Sequence, residues 1–358
     1  MHQKLNCNIV KLIKENDSTI YKIGEEKAYI VSNADTRKLL CNPEIIGYNI
    51  QQKLLLPSKD VLCFLNETIF LNNINIVNIL RGGLNFPLEA ACFDIGIDID
   101  EISFLTSERV FLDNKVSRIE SKYRKIANVP NATIIIGDII ASGETFYNAI
   151  RYLVEKYVYD KNQINKIVVF TIGTNNTFNM IHRLEHKLKE RWPNFQGIYV
   201  VFLEAVFTTY TSCGITKLNL PYVDFTFKGG VLAPEYRKEL LERLHILFEK
   251  CAIYDGGARR FEKNIHIDDT INYWKKLCSV SDNINIEEFY NEKMGYGFNG
   301  LFPDLFEWIK LNNYEKLDEV EIVNLYHYEK SYYEKLQDFN LSDIAKYRYN
   351  ELMYYYHI

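Results

Sequence analysis

Hydrophobic positions along this chain follow two rhythms, and the change from one to the other divides it. Between Ile74 and Phe207, short apolar runs alternate with amphipathic stretches. Ile74 to Leu80, Ile102 to Leu105, Thr133 to Ile136, Lys166 to Ile172 and Gly197 to Phe207 read as strands. Pro87 to Ile95, a stretch beginning near Glu144, and Thr177 to Trp192 read as helices. Strand and helix in alternation predict an α/β fold, a central parallel sheet flanked by helices, in which ligands bind beyond the carboxyl ends of the strands. Candidate chemistry is therefore expected in strand-to-helix loops.

The two ends of the chain differ from this core. Thr19 to Ile23 and Ala28 to Ser32 read as strands, with a helix expected from Ala34 and Asn33 as its cap. Val61 to Leu65 and Thr68 to Leu71, separated by Asn66-Glu67, predict a hairpin. After Pro234 the helical rhythm dominates, in Glu235 to Cys251, Asp269 to Cys278, Ile286 to Lys293 and Phe302 to Leu311. The last stretch carries a stripe of tyrosines, among them Tyr328, Tyr332, Tyr333, Tyr347, Tyr349 and Tyr354 to Tyr356, a pattern that fits half-buried packing with wet hydroxyls. The organisation expected is a short N-terminal α+β segment over residues 1–60, an α/β core over 61–234 and a helical C-terminal region over 235–358.

Composition narrows the class without naming a function. The 358 residues are 47% hydrophobic and 25% charged, as in ordinary globular proteins. A formal net charge of −5 offers no global attraction to nucleic acid or acidic lipid. The seven cysteines are scattered without CxxC or zinc spacing, which fits reduced thiols and a cytoplasmic protein. No apolar run approaches the ~20 residues that span a bilayer, so no membrane partner is expected.

The segment Thr133 to Thr145 carries the most chemistry. Four apolar positions bring a buried strand to its end, and Asp138 then stands at its carboxyl edge. Ala141, Ser142 and Gly143 allow a tight turn whose backbone N–H groups point inward, and a helix starts immediately afterwards. Such a nest at a helix N-terminus, with the Ser142 and Thr145 hydroxyls beside it, suits a phosphate. The neighbouring acid suits sugar hydroxyls or a metal ion, and a sugar phosphate meets both requirements.

This segment resembles the PRPP-binding loop of the type I phosphoribosyltransferases. In that family a buried strand ends in one or two acids, followed by two apolar residues and a small-residue loop of the form A-T-G-x-T. Asp138 falls on the second acidic position, Ala141-Ser142-Gly143 and Thr145 on the loop, and Gly137 stands where the first acid would be. Two further elements agree in order. Arg81-Gly82-Gly83, closing the run that ends at Leu80, resembles the family's pyrophosphate turn, which often holds a non-proline cis peptide; one is expected near Arg81 or Gly82. Ser107 to Pro130, with Arg109, Lys115, Arg118, Lys122, Arg124 and Lys125, stands where the family carries a basic lid.

The resemblance covers residues 70–210 and implies a phosphoribosyltransferase that passes the 5-phosphoribosyl group of Mg-PRPP to a nitrogen acceptor, releasing pyrophosphate. Asp138 would hold the ribose hydroxyls, and Ala141, Ser142, Gly143, Glu144 and Thr145 the 5′-phosphate. Arg81, Gly82 and Gly83 would hold the diphosphate. Arg118, Lys122 and Lys125, with Ser121 and Tyr123, would close over it. Mg²⁺ would be carried mainly by the substrate, and no residue is assigned as a dedicated metal ligand. A homodimer is implied, and the helical C-terminal region offers a surface for a protein partner or an unusual acceptor. Gly137 and that long region favour an alternative, a catalytically impaired PRPP- or nucleotide-binding module of a larger assembly. A third reading keeps the fold and changes the reaction to a lyase or hydrolase acting on a ribosyl phosphate.

Weaker signals remain. Asp255-Gly256-Gly257-Ala258-Arg259-Arg260 joins a turn to two arginines that could contact phosphate, though a solvated helix start explains it as well. Lys228-Gly229-Gly230 with Tyr222, Phe225 and Phe227 suits either ring stacking or core packing. His182 and His186 share a helix face without a zinc pattern, and no GxSxG, Walker A or GxGxxG motif occurs.

Overall fold

In the computed structural model, residues 8–106, 108–112, 115–120, 122–209, 214–218, 225–249, 256–296 and 301–356 are described, with the backbone alone for 108–112, 115–120 and 256. Strands β1 (Ile9–Glu15), β2 (Ser18–Ile23) and β3 (Ala28–Asn33) form an antiparallel meander. Helices α1 (Ala34–Cys41) and α2 (Asn49–Ile69) lead to β4 (Ile74–Leu80), then α3 (Leu88–Asp94) and β5 (Glu101–Thr106). A hairpin of β6 (Glu108–Leu112) and β7 (Lys115–Glu120) precedes the two-residue β8 (Arg124–Lys125). The chain continues through β9 (Ala132–Ile140), α4 (Glu144–Tyr159), β10 (Ile164–Thr174), α5 (Asn176–Arg191), β11 (Gly197–Thr209) and β12 (Phe225–Leu232).

These strands form one sheet in the order β1-β2-β3-β11-β10-β9-β4-β5-β8, with β12 also pairing β11. The six strands from β3 to β5 are parallel, and antiparallel pairs close the edges. The α/β architecture is thus as expected, and the N-terminal meander is the edge of the central sheet. All but one residue of β9 are buried, because helices cover both faces of a parallel sheet. Helix α4 turns Phe146, Ala149, Ile150, Leu153 and Tyr157 inward, the spacing of a single helical face.

Topology also marks where a ligand fits. From β4 the chain crosses to β5 on one side and returns to β9 on the other, so the strand order reverses between β4 and β9. The crevice beyond the carboxyl ends of such a pair is the binding place that open parallel sheets provide.

The cap expected at Asn33 is present. Asn33 caps α1, its side chain accepting the Asp35 N–H at 2.8 Å. Glu204 of β11 supports the same corner, with Oε1 accepting the Asn33 N–H at 2.7 Å and Oε2 the Ser32 hydroxyl at 2.6 Å. Burial pushes the Glu204 carboxyl up to about 8.

Two expectations are overturned. Val61 to Leu65 and Thr68 to Leu71 do not pair as a hairpin; Val61 to Leu65 and Thr68–Ile69 belong to α2, which crosses residue 60. Ile50, Leu54, Ser58, Val61 and Leu65 are buried at intervals of three and four, the rhythm of one helical face. The Lys166 ammonium closes this helix, donating to the Ile69 and Phe70 carbonyls at 2.8 Å, where the helix dipole favours a cation. The single helix expected over Glu235 to Cys251 also breaks. Helix α6 (Pro234–Leu240) stops early, and Ile246, Leu247 and Phe248 form a 3-10 turn with all three side chains buried, which one face of an α-helix cannot provide. Cys251 lies outside the described residues.

The C-terminal region is helical: α7 (Gly256–Phe261), α8 (Lys263–Val280), α9 (Ile286–Met294), α10 (Leu305–Asn312), α11 (Glu319–Leu336) and α12 (Leu341–Tyr356). Its centre is a buried ion pair, Arg237 Nη1 to Glu329 Oε2 at 2.9 Å, with the Tyr290 and Tyr296 hydroxyls donating to Glu329 Oε1 at 2.6 Å. A second arginine, Arg348, meets Glu249 at 3.1 Å and pairs also with Glu44 and Glu351, tying α12 to the N-terminal part. Tyr332 and Tyr333 are buried while Tyr347, Tyr354 and Tyr355 are exposed, so the tyrosine stripe is partly core and partly surface. Among the described residues no helix is long and apolar enough to cross a membrane.

Candidate functional site

Asp138 stands near the end of β9, beside the strand reversal. It is 8% exposed. Burial pushes its carboxyl up to about 7, and a hydrogen bond from the Ile139 backbone N–H opposes this only in part. Across the crevice is Gly82, where a Cβ would come within 3.0 Å of Asp138 Oδ1, so a glycine lets the turn close on the carboxylate. That turn begins with a cis peptide between Leu80 and Arg81, at the expected place, and continues as a 3-10 turn over Gly82–Asn85. Thr171, opposite Asp138 in the β9–β10 register, keeps a buried hydroxyl with no partner.

Gly137 is explained by what lies against it. A Cβ there would fall 2.3 Å from Cγ of Phe86, so the Phe86 ring occupies the space into which any side chain at 137 would project. An acid at position 137 would require Phe86 to move.

Past Asp138 the loop turns as its small residues require. Gly143 adopts the left-handed conformation (φ 82°, ψ −4°) and caps α4, its carbonyl accepting the Tyr147 N–H at 2.8 Å. The Ala141 carbonyl is held by the Thr174 hydroxyl at 2.5 Å and the Asn176 amide at 3.3 Å. In a trans peptide the following N–H points the opposite way, so this anchorage aims the Ser142 N–H away from β10. The Ser142 side chain is exposed and Thr145 half-buried. The first N–H groups of α4 have no carbonyl behind them, and the 16-residue helix directs its positive end at the loop. Glu144 is the acid in that first turn, its N–H reaching Ser142 Oγ at 3.5 Å.

The structure thus brings Gly82, Gly83, Asp138 and the Ala141–Thr145 loop to one crevice. Arg81, at its rim, turns outward and pairs with Glu262 at 2.9 Å. The basic segment stands farther off. It is a hairpin followed by β8, which pairs with β5, three strand spacings or about 14 Å from β9. The Lys122 and Tyr123 N–H groups donate to Thr106 Oγ1 at 3.1 and 2.9 Å, and the Lys122, Tyr123 and Lys125 side chains are exposed. Arg124 lies 3.5 Å from the ring centroid of Tyr152 on α4. Ser121 and the side chain of Arg118 lie outside the described residues, as does Tyr222. Phe225 and Phe227 pack with Phe207 in the core. Phe86, Thr171, Thr174 and Asn176 support the crevice without having been singled out; the contacts that involve them cross between strands, and no local motif announces them.

No family model matches this chain, and no curated protein does. Solved structures do resemble it in part. The AQ2163 protein from Aquifex aeolicus is similar at a TM-score of 0.35 and 14% identity, over 49% of this chain and 85% of that one. A hypoxanthine phosphoribosyltransferase from Staphylococcus aureus is similar at 0.28 and 16%, over 53% and 91%. A hypoxanthine-guanine phosphoribosyl transferase from L. donovani is similar at 0.26 and 9%, over 45% and 83%. All three scores are below 0.5, and the functional reading stands on the residues of the crevice.

Proposed function

We propose that this chain binds Mg-PRPP in the β4–β9 crevice and transfers its phosphoribosyl group to a nitrogen acceptor. One observation carries the reading: a desolvated carboxylate, Asp138, faces Gly82 beside a small-residue loop that feeds the N-terminus of α4. A sugar phosphate needs both halves of that arrangement. Its hydroxyls would donate to Asp138, and its 5′-phosphate would accept from the Ser142–Thr145 loop and meet the helix dipole. The diphosphate would lie along Arg81, Gly82 and Gly83. The acceptor nitrogen bonds to C1 as the C1–O bond breaks, the electron pair leaves with the diphosphate, and the proton shed by nitrogen passes to water.

Among the described residues no group of three His, Cys, Asp or Glu side chains is placed to hold a metal. Asp138 is the buried carboxylate of the crevice and Glu144 an exposed one, a sparse set that suits an Mg²⁺ bound mostly by substrate oxygens and water. Such an ion would neutralise charge on the departing diphosphate. The chain's own residues position the sugar and hold the charge that develops. Closure by the Arg118, Lys122 and Lys125 segment, a homodimer and a cytoplasmic setting belong to the same proposal.

A specific feature favours a second reading. Phe86 seals the position beside Asp138, leaving one carboxylate to orient the ribose, as would suit a binding module without efficient transfer. Calorimetric titration of Mg-PRPP into the wild type and Asp138→Asn tests the site: binding that the variant loses supports it, and absence of binding to the wild type refutes it. Pyrophosphate release in an acceptor screen then separates enzyme from module.

A further inference from the structure

The two arginines of the Gly256-Gly257-Ala258-Arg259-Arg260 stretch have different tasks. Arg259 is buried and donates to the carbonyls of Leu39, Asn42 and Ile45, fastening α7 to the end of α1. Arg260 has no such occupation. Its Nη2 donates to the Gln51 amide oxygen at 2.9 Å, its Cζ stands 5.0 Å from the Phe261 ring centroid, and its Nη1 is buried without a partner. Burial lowers its pKa, and the group that opposes this is the Tyr48 phenol rather than a carboxylate. A guanidinium held by one neutral amide and a ring keeps its charge and donors to spare for an anion.

The same ring carries a second cation. Arg81 Cζ lies 5.9 Å from the Phe261 centroid, so the two guanidinium carbons are within about 11 Å of each other. Arg81 opens the turn over Gly82–Asn85, and α7 packs on that turn. Within it Asn85 is 1% exposed, with both amide atoms lacking a partner, an arrangement native interiors rarely leave unless a ligand or water completes it. Among the described residues, the acid that pairs with either arginine is Glu262, on Arg81.

We propose that Arg260 is an anion-binding residue of the β4–β9 site, supplied by the C-terminal helical region, and that with Arg81 it grips the diphosphate end of the ligand. Glu262 occupies Arg81 until that ligand displaces it. The proposal rests on the phosphoribosyl reading and gives α7 a place in the site. A phosphoryl group for each guanidinium bridges a gap of this size, and neither cation then keeps an unpaired charge.

The test uses inorganic pyrophosphate with Mg²⁺ as probe, titrated calorimetrically into the full chain and into Arg260→Gln and Glu262→Gln, with Mg-PRPP as a parallel ligand. Arg260→Gln should weaken pyrophosphate about tenfold or more, the loss of one charge-assisted contact. Glu262→Gln should tighten it severalfold, because a competitor for Arg81 is gone. A merely structural Glu262 gives no such gain. If the wild type binds Mg-PRPP while Arg260→Gln holds pyrophosphate as tightly as the wild type, this inference falls and the phosphoribosyl reading stands. If the wild type binds neither ligand, both fall. Should Arg260→Gln misfold, a folded Glu262→Gln with unchanged or weaker pyrophosphate binding overturns the inference by itself.

Discussion

Ionising Asp138 works against the fold, and that cost is measurable without a ligand. Its carboxyl rises from an ordinary 3.8 to about 7 because β9 and the Gly82 turn exclude water. Three units correspond to about 4 kcal/mol of preference for the neutral form, and relaxation around a buried charge leaves about 2–4 kcal/mol. The sign follows from proton binding: well below pH 3.8 the carboxyl is protonated folded and unfolded alike, and no cost arises. Between pH 4 and 7 the folded protein holds a proton that the unfolded chain has released, so ionisation erodes stability as pH rises. Asp138→Asn keeps the shape and removes the charge. Urea unfolding of both proteins between pH 3 and 8, followed by tryptophan fluorescence, should show midpoints that converge toward pH 3. They should separate with the slope of one proton, and the variant should be more stable by about 2–4 kcal/mol at pH 7. A difference that does not change with pH would refute the reasoning, since Asp138 would then ionise as freely in the fold as in water.

Other perturbations have equally definite outcomes. Gly137→Ala should destabilise by about 1–3 kcal/mol, because its methyl collides with Phe86, and adding Phe86→Leu should cost less than the two single changes together; denaturant midpoints measure both. Glu329→Ala strands the buried Arg237 charge and should cost about 3–5 kcal/mol in thermal unfolding, whereas Arg237→Met with Glu329→Leu should cost less than either change alone. Asn33→Ala removes both the α1 cap and a bond to Ser18 Oγ at 3.0 Å, and should cost about 1–2 kcal/mol by the same assay.

Where residues near in sequence decide a structure, the sequence made it legible. Ile74 to Leu80 is a strand over the range its apolar run marks, and Asp138 and Gly143 stand at the strand end and helix start that their types announce. Local pattern failed between Val61 and Leu71 because short apolar runs suit a strand or a buried helix equally. The helical face already begun at Ile50 and Leu54, which Val61 and Leu65 continue, is what selects α2. The join of β3 to β11 and the ring of Phe86 under Gly137 arise between distant parts of the chain, and no window of sequence contains both partners. The same holds for Arg81, whose partner Glu262 lies in the helical region.

The pairing of β3 with β11 has a consequence during synthesis. Ala28 finds its place beside Val200, so about 170 further residues must be translated first. At roughly 5–20 residues per second, the apolar edge of Tyr29, Ile30 and Val31 waits roughly 10–30 s for its neighbour. Lys11 and Lys14 guard the far side of the meander, where β1 stays exposed in the finished protein, but the waiting edge has no such charge. Until β11 emerges, an already folded meander would present an unpaired edge, and occupation of that edge by a chaperone is expected to raise the yield of folded protein.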